Sequence, residues 1–402
     1  MDRIALINYL IVQRNARRYL EVTAHHHQNN FVHIHCPYKV ATWPASSNDF
    51  FASNHEQFDL IFIDGIHTEE QVLTDIQEAF GHLSPNGIIV IHDCMPPDAW
   101  HQREPEAYKV GENWNGTVWK AVLRVFNECV YKCSLIDTDW GCGVIDTAQM
   151  QVPKQLQLPE KLLYELNYSW LLEYKQTVSA YLSEWVSVFY HLACMGNWQE
   201  VFKEQLLQLR QHNFRKIMLT ILGTAQDVQV VDTICYELQM DIQILFSATE
   251  FTHFEKPALY AIEEYAKKNE GFVLYLHSKG VSNPADGTKI KWRRLMMREL
   301  VQNREYCLSQ LPKYDVVGVN WREQYPTSHF CGNFWYASTK YLRKLADFKN
   351  YYDHPRYQIW DAVDSKRLGC EFWISSGKEQ PRVLSLYCRN VDFCNANYWS
   401  NK

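Results

Sequence analysis

Apolar and polar positions along the first hundred residues fall into blocks that switch period. Residues 2–20 read as an amphipathic helix followed by a strand, Arg18-Tyr19-Leu20-Glu21-Val22. A second strand is expected around residues 31–34. Phe58–Asp64 is a continuous apolar run closed by a carboxylate. Across residues 68–83, Val72, Ile76, Phe80 and Leu83 recur at helical spacing. Ser84-Pro85-Asn86-Gly87 has turn composition, and Ile88-Ile89-Val90-Ile91 is a strand that stops at His92-Asp93. Short apolar strands alternating with amphipathic helices predict a parallel sheet with helices on both faces. Ligands of such sheets sit at the carboxyl ends of the strands, where Glu21, Asp64, His92 and Asp93 fall.

The texture changes at residue 153. From there to about residue 213 the chain is rich in Leu, Gln, Glu, Tyr and Trp, shows no strand-like run, and reads as two or three helices. A second α/β unit begins at Lys216–Leu222 and continues through strands at 241–246 and 272–276, with later strands expected at 315–319 and 330–337. The predicted fold class is α/β: a Rossmann-like domain over 1–150, a helical connector over 151–213 and a second α/β domain over 214–402.

Bulk properties narrow the function classes. Of 402 residues, 47% are apolar and 21% charged, an ordinary globular balance. A formal charge of -6 argues against broad electrostatic binding to nucleic acid or anionic membrane. The longest apolar runs fall far short of the roughly 20 residues that a spanning helix needs. Met1-Asp2-Arg3 leads into the first helix without a secretory core, and the 12 cysteines form no CxxC pair. These features together give an expectation of reduced thiols and a cytoplasmic location. Aromatic residues make up 14%, which fits either large cores or sugar-stacking surfaces.

Asp64, His67, His92 and Asp93 place carboxylates and imidazoles at consecutive strand ends. Such a set suits a divalent metal or a general base for a hydroxyl group; alternatively Asp64 and Asp93 cap the following helices. His25-His26-His27 reads as a polar loop, because consecutive histidines do not point the same way. The stretch FDLIFIDGIHTEEQVLTDIQEAFGHLSPNGIIVIHDCMPP, with WNGTVWKAV and DTDWGCGVID after it, resembles class I S-adenosylmethionine-dependent methyltransferases over about residues 15–147. The resemblance implies a Rossmann-like fold, a cofactor held near Glu21 and Asp64, and Mg or Mn at the acidic strand ends. Two features of that family are absent. Residues 23–31 hold no glycine where the family has a glycine-rich loop, and Val40-Ala41-Thr42-Trp43-Pro44 offers no acidic residue for the cofactor ribose.

A second constellation runs YLHSKG, WRRLMM, YDVVGVNW, HFCGNFWY and CEFWI. In that order it resembles GT-A-like glycosyltransferase domains of surface-polysaccharide pathways over roughly residues 215–395. The resemblance implies a nucleotide-sugar donor. Lys279, Gly280 and Arg293 would face its diphosphate; Asn320, Trp321, Gly332, Asn333 and Trp335 would face base or sugar. Glu371, Asp315 or His277 would serve as catalytic groups. This half has no clear Asp-x-Asp pair for a donor metal: Asp361 and Asp364 are spaced differently, and Asp353-His354 is no better placed.

The leading expectation is therefore a glycan-assembly enzyme. Its second half would transfer sugar from a nucleotide-sugar to a glycan or lipid-linked saccharide, and its first half would be a methyltransferase-like domain, working or degenerate. Homo-oligomers or association with other glycan-assembly enzymes fit that setting. One alternative is an S-adenosylmethionine-dependent O-methyltransferase acting on a sugar hydroxyl through Asp64, His92 and Asp93. The other is a non-catalytic scaffold or carbohydrate-binding subunit.

Overall fold

The computed structural model describes residues 1–24, 30–214, 216–323, 327–352 and 368–387. The chain forms two compact units, Met1–Tyr181 and Leu182–Lys402. The first contains α1 (Arg3–Arg14), β1 (Arg18–Thr23), β2 (Tyr38–Ala41), α2 (Ser47–Ser53), β3 (Phe58–Asp64), α3 (Glu69–Gly81) and β4 (Leu83–Ile91). It continues with α4 (Val118–Glu128), β5 (Tyr131–Asp137), β6 (Cys142–Met150), α5 (Tyr164–Leu172) and β7 (Lys175–Thr177).

Its seven strands lie in the order β2-β1-β3-β4-β6-β5-β7. All neighbours are parallel except those of β6, which runs antiparallel to both β4 and β5. The result is a Rossmann-like sheet whose strand order reverses between β1 and β3. Helices cover both faces, which is why β3 and β4 read as unbroken apolar runs: Leu60 to Ile63 and Ile88 to Ile91 are all buried. Helix α3 starts where Thr68 accepts a hydrogen bond from the Gln71 amide, with Glu69 and Glu70 in its first turn. Its core face is Val72, Ile76 and Ala79, at the expected spacing.

Two expectations change here. Residues 31–34 are not a strand: Phe31–His33 is a 3-10 turn, and the second strand is β2. The Lys39 ammonium donates to the Phe31 and Ile34 carbonyls at 2.7 and 2.9 Å, satisfying backbone that a sheet ladder would otherwise have taken. The stretch 151–213 is not all helix either. Besides α5, α6 (Val178–Ser183) and α7 (Trp198–Gln211) it contains β7 and β8 (Val186–Ala193), and β8 lies inside the second sheet.

The second unit adds β9 (Lys216–Leu222), α8 (Ala225–Glu237), β10 (Asp241–Ala248), α9 (Lys256–Lys268), β11 (Phe272–His277) and α10 (Gly287–Met297). Short strands follow: β12 (Val316–Gly318), β13 (Trp321–Arg322), β14 (His329–Phe330), β15 (Trp335–Ser338) and β16 (Val383–Ser385). The main sheet runs β10-β9-β8-β11-β15-β12-β16, with β15 antiparallel to β11 and β12. Its order reverses between β8 and β11; His277, the last residue of β11, pairs with His191, and β8 runs on to Ala193. No helix among the described residues is long and apolar enough to cross a membrane.

Candidate metal centre

Asp64 ends β3, and His92 and Asp93 follow β4, the next strand of the sheet, so the parallel register brings them together. His67 stands in the turn that leads into α3. Its Nε2 lies 3.5 Å from Asp64 Oδ1 and 3.4 Å from Asp93 Oδ2. His92 Nδ1 lies 3.4 and 3.2 Å from the same two oxygens.

Backbone carbonyls fix the protons of both rings. His67 Nδ1 faces the Trp114 carbonyl at 3.2 Å, and His92 Nε2 faces the Asp139 carbonyl at 2.7 Å. A carbonyl only accepts, so each of these nitrogens carries N–H, and the other nitrogen of each ring is turned on the carboxylates. The carboxylates are shared out in the same way. Asn30 donates to Asp64 Oδ2 at 3.4 Å and Asn115 donates to Asp93 Oδ1 at 2.7 Å. Each Asp therefore has one oxygen held by an amide and one presented to the imidazoles.

Two loops build this arrangement. In WNGT, Trp114 and Asn115 make the contacts just named, and the Thr117 amide donates to the His67 carbonyl at 2.9 Å. Gly116 sits between them at φ +61, and a Cβ there would come within 2.0 Å of the His67 carbonyl oxygen. The second loop is the tip of the β5–β6 hairpin. There Cys94 and Met95 donate to the Gly141 and Trp140 carbonyls, and Asp139 receives Arg3 through its backbone amide at 3.0 Å and Nη1 at 2.7 Å.

Burial alone would raise the Asp64 carboxyl, but the hydrogen bonds from His67 and His92 hold it well below the ordinary carboxylate range. Burial lowers both imidazoles, and the facing Asp64 and Asp93 override it, raising His67 and pushing His92 up to about 10. Two carboxylates in a buried crevice require positive charge, supplied by protons on the rings or by a cation.

The donor set fits a cation. Single ligand atoms of Asp64, His67 and Asp93 all lie within 4.8 Å of one another. His92 Nδ1, on a residue 6% exposed, faces the same two carboxylate oxygens at 3.4 and 3.2 Å. Two carboxylate oxygens and an imidazole nitrogen, each ligand braced from behind by amide or carbonyl, match the needs of Mn²⁺ or Mg²⁺.

The methyl-donor side fits less well. Glu21 stands inside β1, two residues before its end, 1% exposed, and Tyr19 donates to its Oε2 at 2.7 Å. Burial pushes its carboxyl up to about 7 against the hydrogen bond from Tyr19. At the end of β2, where a ribose would need a carboxylate, Thr42 turns its hydroxyl onto Thr23, accepting from the amide at 3.0 Å and donating to the carbonyl at 3.1 Å. The His25-His26-His27 loop lies outside the described residues.

In the second unit the residues chosen for a sugar donor part company. Asp315 precedes β12 and is therefore at the opposite edge of the sheet from His277; Arg382 holds both of its oxygens, at 3.0 and 2.9 Å. It is not a catalytic base of that crevice. Arg293, 4% exposed, is already engaged, donating to the Lys279 carbonyl at 2.9 Å and to Glu204 at 3.1 Å. Lys279 Nζ rests 4.2 Å from the centre of the Trp292 ring. Gly280, at φ +90, makes a turn closely backed by Lys289 and Arg293. Asn333 and Trp335 are 0% exposed and bond each other at 2.9 Å, so they present no face to a ligand. His277, Gly332 and Glu371 do meet: His277 Nε2 lies 2.9 Å from the Gly332 carbonyl, and the Gly332 amide donates to Glu371 at 3.2 Å. Asn320 is buried and Trp321 half-buried beside them. Asp353, His354, Asp361 and Asp364 lie outside the described residues.

Residues 5–94 match a family described as a methyltransferase domain, and residues 188–376 match a domain of unknown function, DUF8361. No curated protein matches the chain in sequence. Among solved structures, an S-adenosylhomocysteine-bound methyltransferase of Podospora anserina is similar at 16% identity, covering 37% of this chain and 78% of its own, with a TM-score of 0.26. HddC from Yersinia pseudotuberculosis is 9% identical, covering 54% and 97%, with a TM-score of 0.29. The MycE methyltransferase of the mycinamycin pathway, in complex with Mg, S-adenosylhomocysteine and mycinamycin VI, is 14% identical, covering 41% and 52%, with a TM-score of 0.25.

Proposed function

We propose that the first unit is a divalent-cation-dependent O-methyltransferase domain that takes a hydroxylated substrate at the Asp64–His67–Asp93 cluster. The observation that carries this reading is the pairing of two carboxylate oxygens with two imidazole nitrogens whose other N–H groups are committed to backbone carbonyls. The methyltransferase-domain match over residues 5–94 supports the same reaction class.

Asp64, His67 and Asp93 would hold the cation, which when bound supplies Lewis-acid polarisation of a substrate hydroxyl. Asn30 and Asn115 orient the carboxylates so that the same oxygens always face the crevice. With the cation supplying the positive charge in place of a ring proton, His92, anchored through Nε2, would accept the hydroxyl proton at Nδ1. The chain's own groups thus bind and orient a hydroxyl and hold its proton. On the methyl-donor side, the end of β2 lacks a carboxylate to hold the ribose and presents Thr42 instead.

Sugar transfer by the second unit has weaker support. Its family match carries no activity, and Arg293 and Asp315 are committed to Glu204 and Arg382. Titration calorimetry of the full chain with Mn²⁺, and with S-adenosylhomocysteine in its presence, tests the proposal. Micromolar Mn²⁺ binding that Asp64→Asn abolishes, together with S-adenosylhomocysteine binding, is the expected result. Cation binding without the nucleoside would leave a cation-dependent carbohydrate-binding module, and absence of both would remove the proposal.

A further inference from the structure

Helix α9 leaves part of the second sheet uncovered. It is the crossover between β10 and β11, which run parallel in one sheet, so it lies antiparallel to them and its last turn stands beside the start of β9. Its buried face, Ala258, Leu259, Ile262 and Ala266, packs into the core with Phe189 of β8. Beyond it lies β10, the edge strand. None of the eight residues of β10 is buried, although strands of a parallel sheet are ordinarily covered on both faces. The uncovered strip forms a groove of about 1050 Å³ along α9, whose 13 residues span about 20 Å.

This groove is apolar along its length and carries unbalanced positive charge at one end. Phe189, Met218, Leu245 and Phe246 line it from the strands, and Tyr260 and Tyr265 line it from α9. Leu245 and Tyr260 are 37% and 52% exposed, so the apolar strip is open to a ligand. Its rings do not make a flat slot: Tyr265 meets Phe189 edge-on at 5.3 Å, which suits a flexible chain better than a planar ring. Lys216 begins β9 and Lys268 ends α9, so both stand at the same end of the groove. Lys349 joins them on that half, one residue after the Phe348 amide that donates to Glu263. The side chains of these three lysines make no ion pair or hydrogen bond among the described residues. Glu264, the one acid of the described lining, is held by Lys267 at 2.7 Å. At the opposite end, His253 has Glu250 within 4.0 Å and Lys256 is likewise engaged.

We infer that this groove binds a long-chain fatty acid, with the carboxylate at Lys216, Lys268 and Lys349 and the alkyl tail over Met218, Leu245 and Phe246. Charge left unbalanced at one end of an unbroken apolar strip matches a ligand with one anionic head and one apolar tail. The tail covers the face of β10 that α9 does not reach, and removing that surface from water supplies the affinity. The lysines fix the direction in which the chain lies. The site uses none of the residues of the HSKG and GNFW motifs and none of the cation cluster of the first unit.

Titration calorimetry of the full chain, in EDTA, with octanoate, decanoate and laurate below their micelle concentrations tests this. Expected is one saturable site whose affinity rises about fourfold with each added methylene. Lys216→Glu combined with Lys268→Glu, both at exposed positions, should weaken decanoate at least tenfold and leave decanol unchanged, because only the head loses its contact. Leu245→Asp puts a charge under the tail at an exposed position and should weaken decanoate and decanol alike, with the melting temperature of the wild type retained. No saturable laurate binding would overturn the inference, as would affinity independent of chain length, unchanged affinity in both variants, or equally tight binding of decyltrimethylammonium. A chain that ignores laurate and that Leu245→Asp converts from dimer to monomer would give the groove to a second copy instead.

Discussion

Replacing Glu21 by Gln probes the burial of an acid in the middle of the first sheet. The residue is 1% exposed, and its carboxyl sits at about 7 instead of the ordinary 4.5, because burial outweighs the hydrogen bond from Tyr19. Between those two pH values the folded protein holds a proton that the unfolded chain releases. The contribution of Glu21 to stability is therefore greatest below about pH 4.5, falls as pH rises to 7, and is flat above it. The shift of about 2.5 pH units, at about 1.4 kcal/mol each, makes the loss about 3 kcal/mol. Glutamine cannot ionise, and any fixed difference in packing is the same at both ends of the range. The assay is urea unfolding of the full chain at pH 5 and pH 8, reading the transition that the substitution moves. The variant should gain on the wild type by about 2–3 kcal/mol between the two pH values. If the gap between variant and wild type is the same at both, Glu21 ionises normally and the reasoning is wrong.

Three other substitutions follow from the same geometry. Asn115→Ala removes the amide that holds Asp93 Oδ1 and should lower Mn²⁺ affinity about 10–100-fold by calorimetry, with the fold intact. Gly116→Ala places a Cβ against the His67 carbonyl at a left-handed position, so it should destabilise the first unit by more than about 2 kcal/mol in a urea titration and weaken Mn²⁺ binding as well. Arg14→Met leaves the buried Asp146 carboxylate without the guanidinium that contacts both of its oxygens at 2.5 Å, and should cost about 3 kcal/mol by the same titration.

The parts of the first site legible in the sequence are those that end a strand. Asp64, His92 and Asp93 each close an apolar run, and a parallel register makes such ends converge; His67 follows one turn on. Asn115, Asp139 and Arg3 are not legible, because two loops and the start of α1 meet around the cluster across 22 to 136 residues of sequence. WNGT and DTDWG carried the only signal, a glycine or turn residue beside polar groups. In the second half the motif residues divide: His277, Gly332 and Glu371 meet, whereas Asp315 lies at the other end of its strand. The aromatic and amide groups of GNFW fill the core, and Glu255, hidden in FTHFEKPAL as an ordinary helix start, accepts from Tyr275 and Asn333. β8 was missed because VSVFYHLA, buried along most of its length, has no alternation to mark it.

The position of β6 sets a timetable for synthesis. Ile88 to Ile91 on β4 find their outer partners only in Gly143 to Asp146, so the nascent chain emerges with an apolar sheet edge open. About fifty more residues must follow, roughly 3–10 s at about 5–20 residues per second, before that edge is capped. The same hairpin carries Asp139, whose carbonyl fixes the His92 ring. A ribosome-bound chain ending near residue 100 thus already holds every cation ligand but cannot yet orient them, and it is in this interval that the first unit most needs shielding from other nascent chains.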